Sequence, residues 1–421
     1  MDRRIEKAVM VGVVLPGMRR EQEEESLDEL ALLADTAGAQ VVARMIQDRY
    51  GINSATFIGK GKVQELARRA DETDAGLILF DEDLSPVQLK NLEKKTGKRI
   101  LDRSMLIFAI FARRARSREA KTQVELAQLE YMLPRLTRQW THLERQEGAV
   151  GTRGPGETQL ETDRRAVRKK IDYLKKELVQ IELQRSVRRK TREAFKRAAL
   201  VGYTNAGKSS LLNALSDSDV HVENRLFATV DASIRAFKLS DQERALIIDT
   251  VGFIRKLPHH LVASFRSTLE EAVEADLLLH VVDVSRMNFE EHIGVVQEVL
   301  KDLGIDPKPC ILVFNKVDLL EDRKTIPELK QRFQHALFVS ALKGIGLEAL
   351  RQEVTVRLSA GDVEGEIRIP FDQTKAIAEM YELAKVLERT YVDGVAVIRF
   401  RAEARNAGKI RNLVEGAACK F

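Results

Sequence analysis

The chain has 421 residues, of which 44% are hydrophobic and 32% are charged, and its formal net charge is +5. This length suggests about two to four domains, and the composition argues against an intrinsically disordered chain. No apolar run approaches the roughly 20 residues needed to cross a bilayer, and the two cysteines, Cys310 and Cys419, exclude a disulfide scaffold or a cysteine-based zinc site, as is typical of a reducing cytosol.

The first hundred residues alternate between short β-rich runs and amphipathic helical runs. We predict strands at Val9–Leu15, Gln40–Ile46, Gly76–Asp81 and Arg99–Leu101, and helices at Leu27–Thr36, Lys62–Asp71 and Pro86–Thr96. Such alternation indicates a parallel sheet covered by helices. Residues 1–115 are therefore predicted to form an N-terminal α/β domain.

The next segment, residues 116–196, is helical and highly charged. Apolar residues recur every three or four positions from Leu126 to Leu143, and again from Val167 to Ile181, which is the pattern of two heptad seams. The run Gly148–Glu157 between them contains four glycines and a proline, which do not continue a helix. The sequence therefore predicts a long antiparallel helical hairpin with a glycine-rich tip.

The second helix of this hairpin has a strong excess of positive charge. From Arg164 to Arg197, fourteen lysines and arginines stand against four acidic residues. A solvated coiled-coil surface is the alternative interpretation. The large excess of positive charge favours the interpretation that this helix contacts a phosphate backbone.

Strand–helix alternation returns at residues 197–360, which begin with the strongest motif of the chain. The strand Ala198–Val201 leads into a GxxxxGKS loop and then into a helical run. In such a loop the backbone amides converge on phosphate oxygens, the lysine supplies charge to the outer phosphates, and the serine hydroxyl ligates Mg²⁺. The candidate residues are Gly202, Tyr203, Thr204, Asn205, Ala206, Gly207, Lys208, Ser209 and Ser210.

A second motif follows the strand Leu246–Ile248 and has the sequence Asp249-Thr250-Val251-Gly252. The aspartate can hold Mg²⁺ through a water, and the glycine amide can contact a γ-phosphate, which would make this segment a nucleotide sensor. Thr229 is the candidate switch threonine that joins Ser209 in the Mg²⁺ shell. An ordinary loop threonine is the alternative.

The base-recognition motif Asn315-Lys316-Val317-Asp318 follows the strand Cys310–Phe314. Asp318 can accept hydrogen bonds from N1–H and the 2-amino group of guanine, whereas adenine has no donor at either place. The run Ser340-Ala341-Leu342 follows a further strand and can present amides to guanine O6. Because all four motifs lie at strand ends, we predict a P-loop GTPase G domain with GTP as substrate and Mg²⁺ as cofactor.

Phe253 follows Gly252 at the position where small GTPases commonly carry a glutamine that orients water. A phenyl ring cannot hydrogen-bond a water. We therefore predict slow hydrolysis by the isolated protein, with an unknown catalytic group supplied by a partner.

The last segment, residues 361–421, is predicted to form a small C-terminal α+β domain. We expect strands at Ile367–Phe371 and Val395–Arg401, with a helix at Lys375–Glu388 between them.

Taken together, these segments resemble the HflX family of ribosome-associated GTPases. The resemblance is carried by the tip Gly151–Glu161, by the G-domain motifs, and by the runs Asp249–Ile254 and Phe265–Glu271. The run Asp231–Arg235 departs from the Asp-Pro-Thr-Thr-Arg expected in that family.

The resemblance implies a cytoplasmic monomer, also able to lie peripherally at a membrane, that binds the 50S ribosomal subunit and splits or rescues stalled or idle ribosomes under stress. The implied ribosomal RNA contacts are Arg153, Arg164, Arg165, Arg168, Lys169 and Lys170. Two other functions stay open: a GTP-controlled signalling protein, and an RNA-remodelling protein that acts through the basic hairpin.

Overall fold

The structure is a computed structural model that describes residues 6–139, 155–190, 195–216, 226–239, 244–258, 261, 271–305, 308–320, 325–392 and 394–412. The chain divides into two compact units, Met1–Leu347 and Glu348–Phe421.

The N-terminal part of the first unit contains a four-stranded parallel sheet in the order β2-β1-β3-β4. The strands are β1 (Glu6–Val14), β2 (Ala39–Asp48), β3 (Leu77–Phe80) and β4 (Arg99–Asp102), and the helices between them are α1 (Arg20–Ala37), α2 (Lys60–Glu72) and α3 (Pro86–Thr96). Alternate residues of β1 enter different buried clusters, so both faces of the sheet are covered. The predicted α/β architecture is confirmed. Helix α1 begins at Arg20 rather than at Leu27 because its first turns are charged and lack the apolar period.

A helix that the sequence analysis did not predict, α4 (Arg103–Arg114), follows β4 directly. The Asp102 carboxylate caps it by accepting a hydrogen bond from the amide of Met105 at 2.9 Å. Its apolar run Leu106–Phe111 is short and rich in aromatic and β-branched residues, which is ambiguous between a helix and a strand.

The helical arm consists of α5 (Arg118–Gln139) and α6 (Pro155–Lys190). The two helices pack through Leu126, Ile171 and Leu174, flanked by Leu129, Leu133, Val167 and Leu178. These contacts confirm the two seams, although Trp140, Leu143 and Gly148–Gly154 lie outside the described residues. The prediction that Pro155–Glu157 are part of the loop was wrong, because a proline is tolerated in the first turn of a helix, where α6 begins.

The second sheet has six strands in the order β10-β9-β8-β5-β7-β6, all parallel except β6, which is antiparallel to β7. The strands are β5 (Arg197–Gly202), β6 (Ser233–Lys238), β7 (Arg244–Asp249), β8 (Leu277–Asp283), β9 (Cys310–Asn315) and β10 (Leu337–Phe338). The helices of this part include α7 (Lys208–Ser216), α8 (Phe289–Asp302) and α9 (Thr325–Arg332), and a 3₁₀ turn lies at Val317–Leu319. Because parallel strands end at the same edge, Gly202, Asp249 and Asn315 emerge together.

The second unit is an antiparallel sheet with helices. It contains α10 (Leu347–Ser359), β11 (Asp362–Pro370), α11 (Thr374–Leu383), β12 (Lys385–Val392), β13 (Val395–Glu403) and α12 (Ala404–Asn412), with the strand order β11-β13-β12. The α+β prediction is confirmed, but the helix predicted to reach Glu388 ends at Leu383. Residues 385–392 form a strand instead, since paired β-branched and aromatic residues favour the sheet. Among the helices that the structure describes, none is both long and apolar enough to span a bilayer.

Candidate functional site

The GxxxxGKS loop closely approaches two neighbouring strands, which explains its glycines. Gly202 has φ of 154°, and a Cβ there would lie 2.2 Å from the carbonyl oxygen of Val281. Gly207 has φ of 92°, and a Cβ there would lie 2.3 Å from Nδ2 of Asn315. Only glycine fits at either position without displacing backbone or a buried amide. The loop is therefore tightly wrapped, with Lys208 at the first turn of α7.

Lys208 is buried beneath this loop. Its ammonium donates to the carbonyl oxygens of Gly202 at 3.0 Å and Tyr203 at 2.9 Å. Burial lowers the pKa of Lys208 to about 8, although the carboxylate of Asp249 opposes this shift. A buried cation with few compensating charges attracts an anion, and a phosphate is the anion that such a loop accommodates.

Three oxygen-bearing side chains meet beside Lys208. The Ser209 hydroxyl donates to Oδ2 of Asp249 at 2.6 Å, the Thr229 hydroxyl donates to the same oxygen at 3.0 Å, and the two hydroxyl oxygens are 2.8 Å apart. Asp249 is fully buried, and burial raises the pKa of its carboxyl despite the opposing effects of Lys208, Ser209 and Thr229. Its second oxygen, Oδ1, has no hydrogen-bond partner in the part of the chain that the structure describes. An all-oxygen donor set with an unsatisfied carboxylate oxygen fits Mg²⁺.

The segment after Asp249 passes against the phosphate-binding loop. A Cβ on Gly252 would lie 2.7 Å from Cα of Thr204 and 3.0 Å from Nζ of Lys208, so no other residue fits there. The backbone of Phe253 also pairs with this loop, since its oxygen accepts from the amide of Thr204 at 2.6 Å. By contrast, the Thr250 hydroxyl donates to the carbonyl oxygen of Leu200 at 2.7 Å. The Thr250 side chain therefore anchors the strand edge.

The Phe253 ring is 2% exposed and lies in a core cluster with Ala199, Ile248 and Leu278. The phenyl ring is therefore packed in the hydrophobic core on one face of the sheet and does not project toward the phosphate-binding loop. The side chain at this position therefore cannot orient a water molecule, because it has no hydrogen-bonding group and because it is buried.

The base-recognition residues join the loops on the other side. The Asn315 amide donates to the carbonyl oxygen of Ala206 at 2.9 Å and accepts from the amide of Ala341 at 3.1 Å. Lys316 donates to the carbonyl oxygen of Asn205 at 2.8 Å and pairs with Asp283 at 2.7 Å.

Among the described residues, Asp318 has no hydrogen-bond partner, so its half-buried carboxylate is available to a ligand. Val317 lies in the same 3₁₀ turn as Asp318, and its amide pairs with the oxygen of Val339 at 3.3 Å. The Ser340 hydroxyl accepts from the amide of Lys343 at 3.0 Å and so shapes its loop, whereas the Leu342 side chain is 81% exposed.

A cavity of about 50 Å³ is lined by several of the predicted site residues, among them Gly207, Lys208, Ser209, Thr229 and Gly252. Val251, also among the predicted residues, is buried and belongs to a core cluster that extends into the N-terminal domain.

Sequence reasoning missed that the N-terminal domain packs directly on this site. Leu226, Phe227, Val230 and Val251 lie in one buried cluster with residues of α1 and α4. The Asp231 carboxylate accepts hydrogen bonds from the amides of Arg116 at 2.9 Å and Ser117 at 3.2 Å, immediately before α5. Asp231 is a residue of this run that agrees with the family pattern, and it binds the base of the arm.

The basic residues of the arm differ in their surroundings. Arg165, Arg168 and Lys169 are exposed and have no ion-pair partner among the described residues, whereas Arg164 is half-buried. Lys170 pairs with Glu125 of α5 at 3.2 Å. Arg153 lies outside the described residues.

Four family models match most of the chain. They are described as "GTP-binding GTPase N-terminal" for residues 24–112, "GTP-binding GTPase Middle Region" for residues 114–192, "50S ribosome-binding GTPase" for residues 197–316, and "HflX C-terminal domain" for residues 326–418.

Several proteins named "GTPase HflX" are similar over nearly their full length. The one from Caldanaerobacter subterraneus is 42% identical over 97% of this chain and 94% of its own, and the one from Escherichia coli is 40% identical over 92% and 91%. The one from Flavobacterium psychrophilum is 48% identical over 84% and 91%. Among solved structures, a GTP-binding protein from Sulfolobus solfataricus in complex with GDP is 26% identical, with a TM-score of 0.45 over 85% of this chain and 99% of that one.

Proposed function

The chain belongs to the HflX family of GTPases, and from this premise we propose that its GTP cycle controls contact with the 50S ribosomal subunit. As a member of the family it binds GTP and hydrolyses it to GDP and phosphate.

In the proposed site, the amides of residues 202–209 and the Lys208 ammonium hold the phosphates of GTP. Ser209 and Thr229 hold Mg²⁺, with Asp249 behind them, and the ion neutralises charge on the outer phosphates when it is bound. Asp318 accepts hydrogen bonds from N1–H and the 2-amino group of guanine. Asn315 connects the loop that binds the base to the loop that binds the phosphates. Neither Oδ1 of Asp249 nor the carboxylate of Asp318 has a hydrogen-bond partner in the described part of the chain, which supports these roles.

Hydrolysis transfers the γ-phosphoryl group to water and leaves GDP. Gly252 lies where its amide can contact the γ-phosphate, while Phe253 offers no side-chain group to the attacking water. We therefore propose that the group that orients this water comes from the bound ribosome, so that the protein hydrolyses GTP slowly when alone.

One observation supports the ribosomal role more than any other: the segment that carries the switch threonine is bonded to the base of a basic arm. Asp231, two residues after Thr229, accepts the amides that lead into α5. A change at the third phosphate is thereby passed to the arm. Arg165, Arg168 and Lys169 are exposed on α6 without an ion-pair partner among the described residues, and their proposed partner is ribosomal RNA.

The proposed outcome of this coupling is that GTP-bound protein splits or rescues stalled or idle ribosomes. In this proposal the tip, including Arg153, enters the large subunit together with Arg164 and Lys170, and hydrolysis ends the contact. The match of residues 197–316 to a ribosome-binding GTPase model supports the association itself.

The test is co-sedimentation with purified 50S subunits in the presence of a non-hydrolysable GTP analogue or GDP. Reversing three charges in the variant R165E/R168E/K169E is expected to lower subunit binding by more than tenfold while GTP affinity stays unchanged, since each residue lies on α6 away from the nucleotide. A matched control, K301E/K375E/K409E, reverses three exposed lysines outside the arm and should bind normally. Equal binding by both triple variants would refute the role of the arm.

Salt dependence separates this proposal from a signalling role. Binding to RNA through several phosphate contacts weakens steeply with salt, whereas an apolar protein partner on the seam of α5 and α6 would give a shallow dependence. A shallow slope with intact binding would favour the signalling alternative over the ribosomal one.

A further inference from the structure

The tyrosine of the phosphate-binding loop connects this loop to the N-terminal domain. Tyr203 follows Gly202, is 5% exposed, and packs its side chain in the buried cluster shared with the N-terminal domain. Its hydroxyl donates to Oε1 of Glu29 in α1 at 2.5 Å and accepts from the amide of Arg255 at 2.8 Å. Its ring stacks on the imidazole of His292 in α8, with a centroid distance of 3.9 Å and an angle of 9°. One side chain thus holds three elements together.

The contacts continue through buried charges of the N-terminal domain. Glu29 also binds Arg103, which is 1% exposed and whose other nitrogen binds Oδ1 of Asp81 at 2.7 Å. The second oxygen of Asp81 accepts from the ammonium of Lys256. Because Lys256 follows Arg255 in the chain, these contacts close a circuit, which we call the Tyr203 ring. Its members are Tyr203, Glu29, Arg103, Asp81 and Lys256.

The charges of this ring depend on one another. Burial opposes ionisation of Asp81, but Arg103 and Lys256 hold the pKa of its carboxyl below the usual value. Burial and the neighbouring Glu29 raise the pKa of Tyr203, so that its hydroxyl remains a donor at neutral pH. Arg103 binds both Glu29 and Asp81, and Asp81 also binds Lys256, so the loss of one member changes the hydrogen bonding and charge balance of the others.

Lys256 is held in an unfavourable backbone conformation. Its φ is +54°, a left-handed value that residues with a side chain adopt rarely. The contacts that hold it there are those of its ammonium with Asp81 and with Glu82, the latter at 2.6 Å. Without these contacts the segment from Gly252 to Lys256 would relax, and this segment carries the glycine that lies against Lys208.

We propose that Tyr203 and Lys256 are positioning residues for GTP hydrolysis, because the Tyr203 ring lets the N-terminal domain fix the segment 252–256 in the place from which it contacts the γ-phosphate. The ring orders this segment before GTP arrives, and so lowers the entropic cost of binding the third phosphate. Since GDP lacks that phosphate, the ring affects GTP and leaves GDP unaffected. This inference needs the GTPase activity alone and not the proposed ribosome contact.

The experiment compares Y203F with the wild-type protein. This substitution removes a single hydroxyl and keeps an aromatic side chain stacked on the imidazole of His292. Fluorescent GDP and a fluorescent non-hydrolysable GTP analogue give the two affinities, and single-turnover hydrolysis at saturating GTP gives the rate. We expect the affinity for GDP to stay within about twofold, while preference for the analogue over GDP and the hydrolysis rate each fall about tenfold.

Tyr131 provides a matched control. It is likewise 5% exposed, and its hydroxyl donates to a buried carboxylate, that of Asp102, at 2.6 Å. The variant Y131F loses the same kind of hydrogen bond in α5, which carries none of the proposed nucleotide-binding residues, and should keep both affinities and the rate.

Variants of Lys256 test whether the two residues act as one unit. K256Q should reproduce the loss seen in Y203F, K256R should largely restore the wild-type values, and the double variant Y203F/K256Q should be no worse than either single one. If the losses of Y203F and K256Q added up in the double variant, the two residues would act independently and the ring would not be a single unit. An unchanged nucleotide preference in Y203F, or an equal loss of both affinities, would overturn the proposal and show a purely structural tyrosine. None of these assays contains ribosomes, so their failure leaves the proposed 50S contact standing.

Discussion

At the scale of single residues, the charge of Lys208 depends on what the phosphate-binding loop contains. Burial lowers its pKa to about 8. A bound triphosphate stabilises the ammonium and raises this pKa again. Free protein therefore loses the proton above pH 8, while the complex keeps it.

We accordingly predict that GTP binding takes up a proton above pH 8. Affinity should fall with rising pH in this range, by at most about tenfold per unit, because part of the binding free energy is then used to protonate the lysine. Calorimetry in two buffers of different ionisation enthalpy measures the uptake directly. The variant K208R, whose guanidinium stays charged, should bind without uptake, and equal uptake by both proteins would contradict the assignment to Lys208.

The residues proposed to hold the phosphates and Mg²⁺ could be identified from the sequence because most of them lie close together in it. The loop from Gly202 to Ser209 is continuous in sequence, Asp249 ends a strand, and Thr229 lies between these two motifs. The role of Tyr203 could not be predicted, because its partner Glu29 is 174 residues away and the sequence around either residue contains no motif that indicates the contact. The position of Phe253 was also beyond prediction, because residue type does not tell on which side of the sheet the ring packs.

At the scale of elements, the base of α5 is bound to the segment that carries Thr229. Asp231 accepts the amides of Arg116 and Ser117, and the Ser117 hydroxyl in turn accepts from the amide of Ala120 in the first turn of α5. The start of the helix and the switch segment thus share one set of hydrogen bonds. We therefore expect a displacement of Thr229 to change the position of the first turn of the arm.

This connection predicts the behaviour of D231A. The alanine removes the acceptor for both amides, so the arm should bind 50S subunits with the same affinity whichever guanine nucleotide is present. In wild-type protein the analogue form should bind about tenfold more tightly than the GDP form. Co-sedimentation in the two nucleotide states measures this ratio, and an unchanged ratio in D231A would show that the signal reaches the arm by another route.

The arm was also the element for which sequence reasoning was most informative. Its apolar period extends over several turns and dictated the packing of Leu126 on Ile171 and Leu174. Helix α4 and strand β12 were missed because their runs are short, and short apolar runs take the conformation that their neighbours impose. In β12 the neighbour is β13, to which it pairs from Lys385 to Val392.

At the scale of the whole first unit, the switch segments and the N-terminal domain share one apolar core. Phe227 is 1% exposed, and its ring lies 4.6 Å from that of Phe111 in α4. Ile254 and Val251 belong to the same cluster. A buried cluster of this kind transmits displacement, because close-packed side chains cannot move singly. Movement of the segment around Thr229 therefore requires the N-terminal domain to repack.

The variant F227A tests this shared core. Truncating a fully buried phenylalanine should lower the free energy of unfolding by about 3–5 kcal/mol, which denaturant unfolding measures. F237A is the matched control, since Phe237 is also fully buried but lies in β6.

Both variants should be destabilised, but only F227A should also speed amide hydrogen exchange in residues 103–114 of α4 under native conditions, because its cavity lies against Phe111. Were the two domains energetically independent, exchange in α4 would be the same in both variants, and a nucleotide-driven change at Thr229 would have no packed route to the N-terminal sheet.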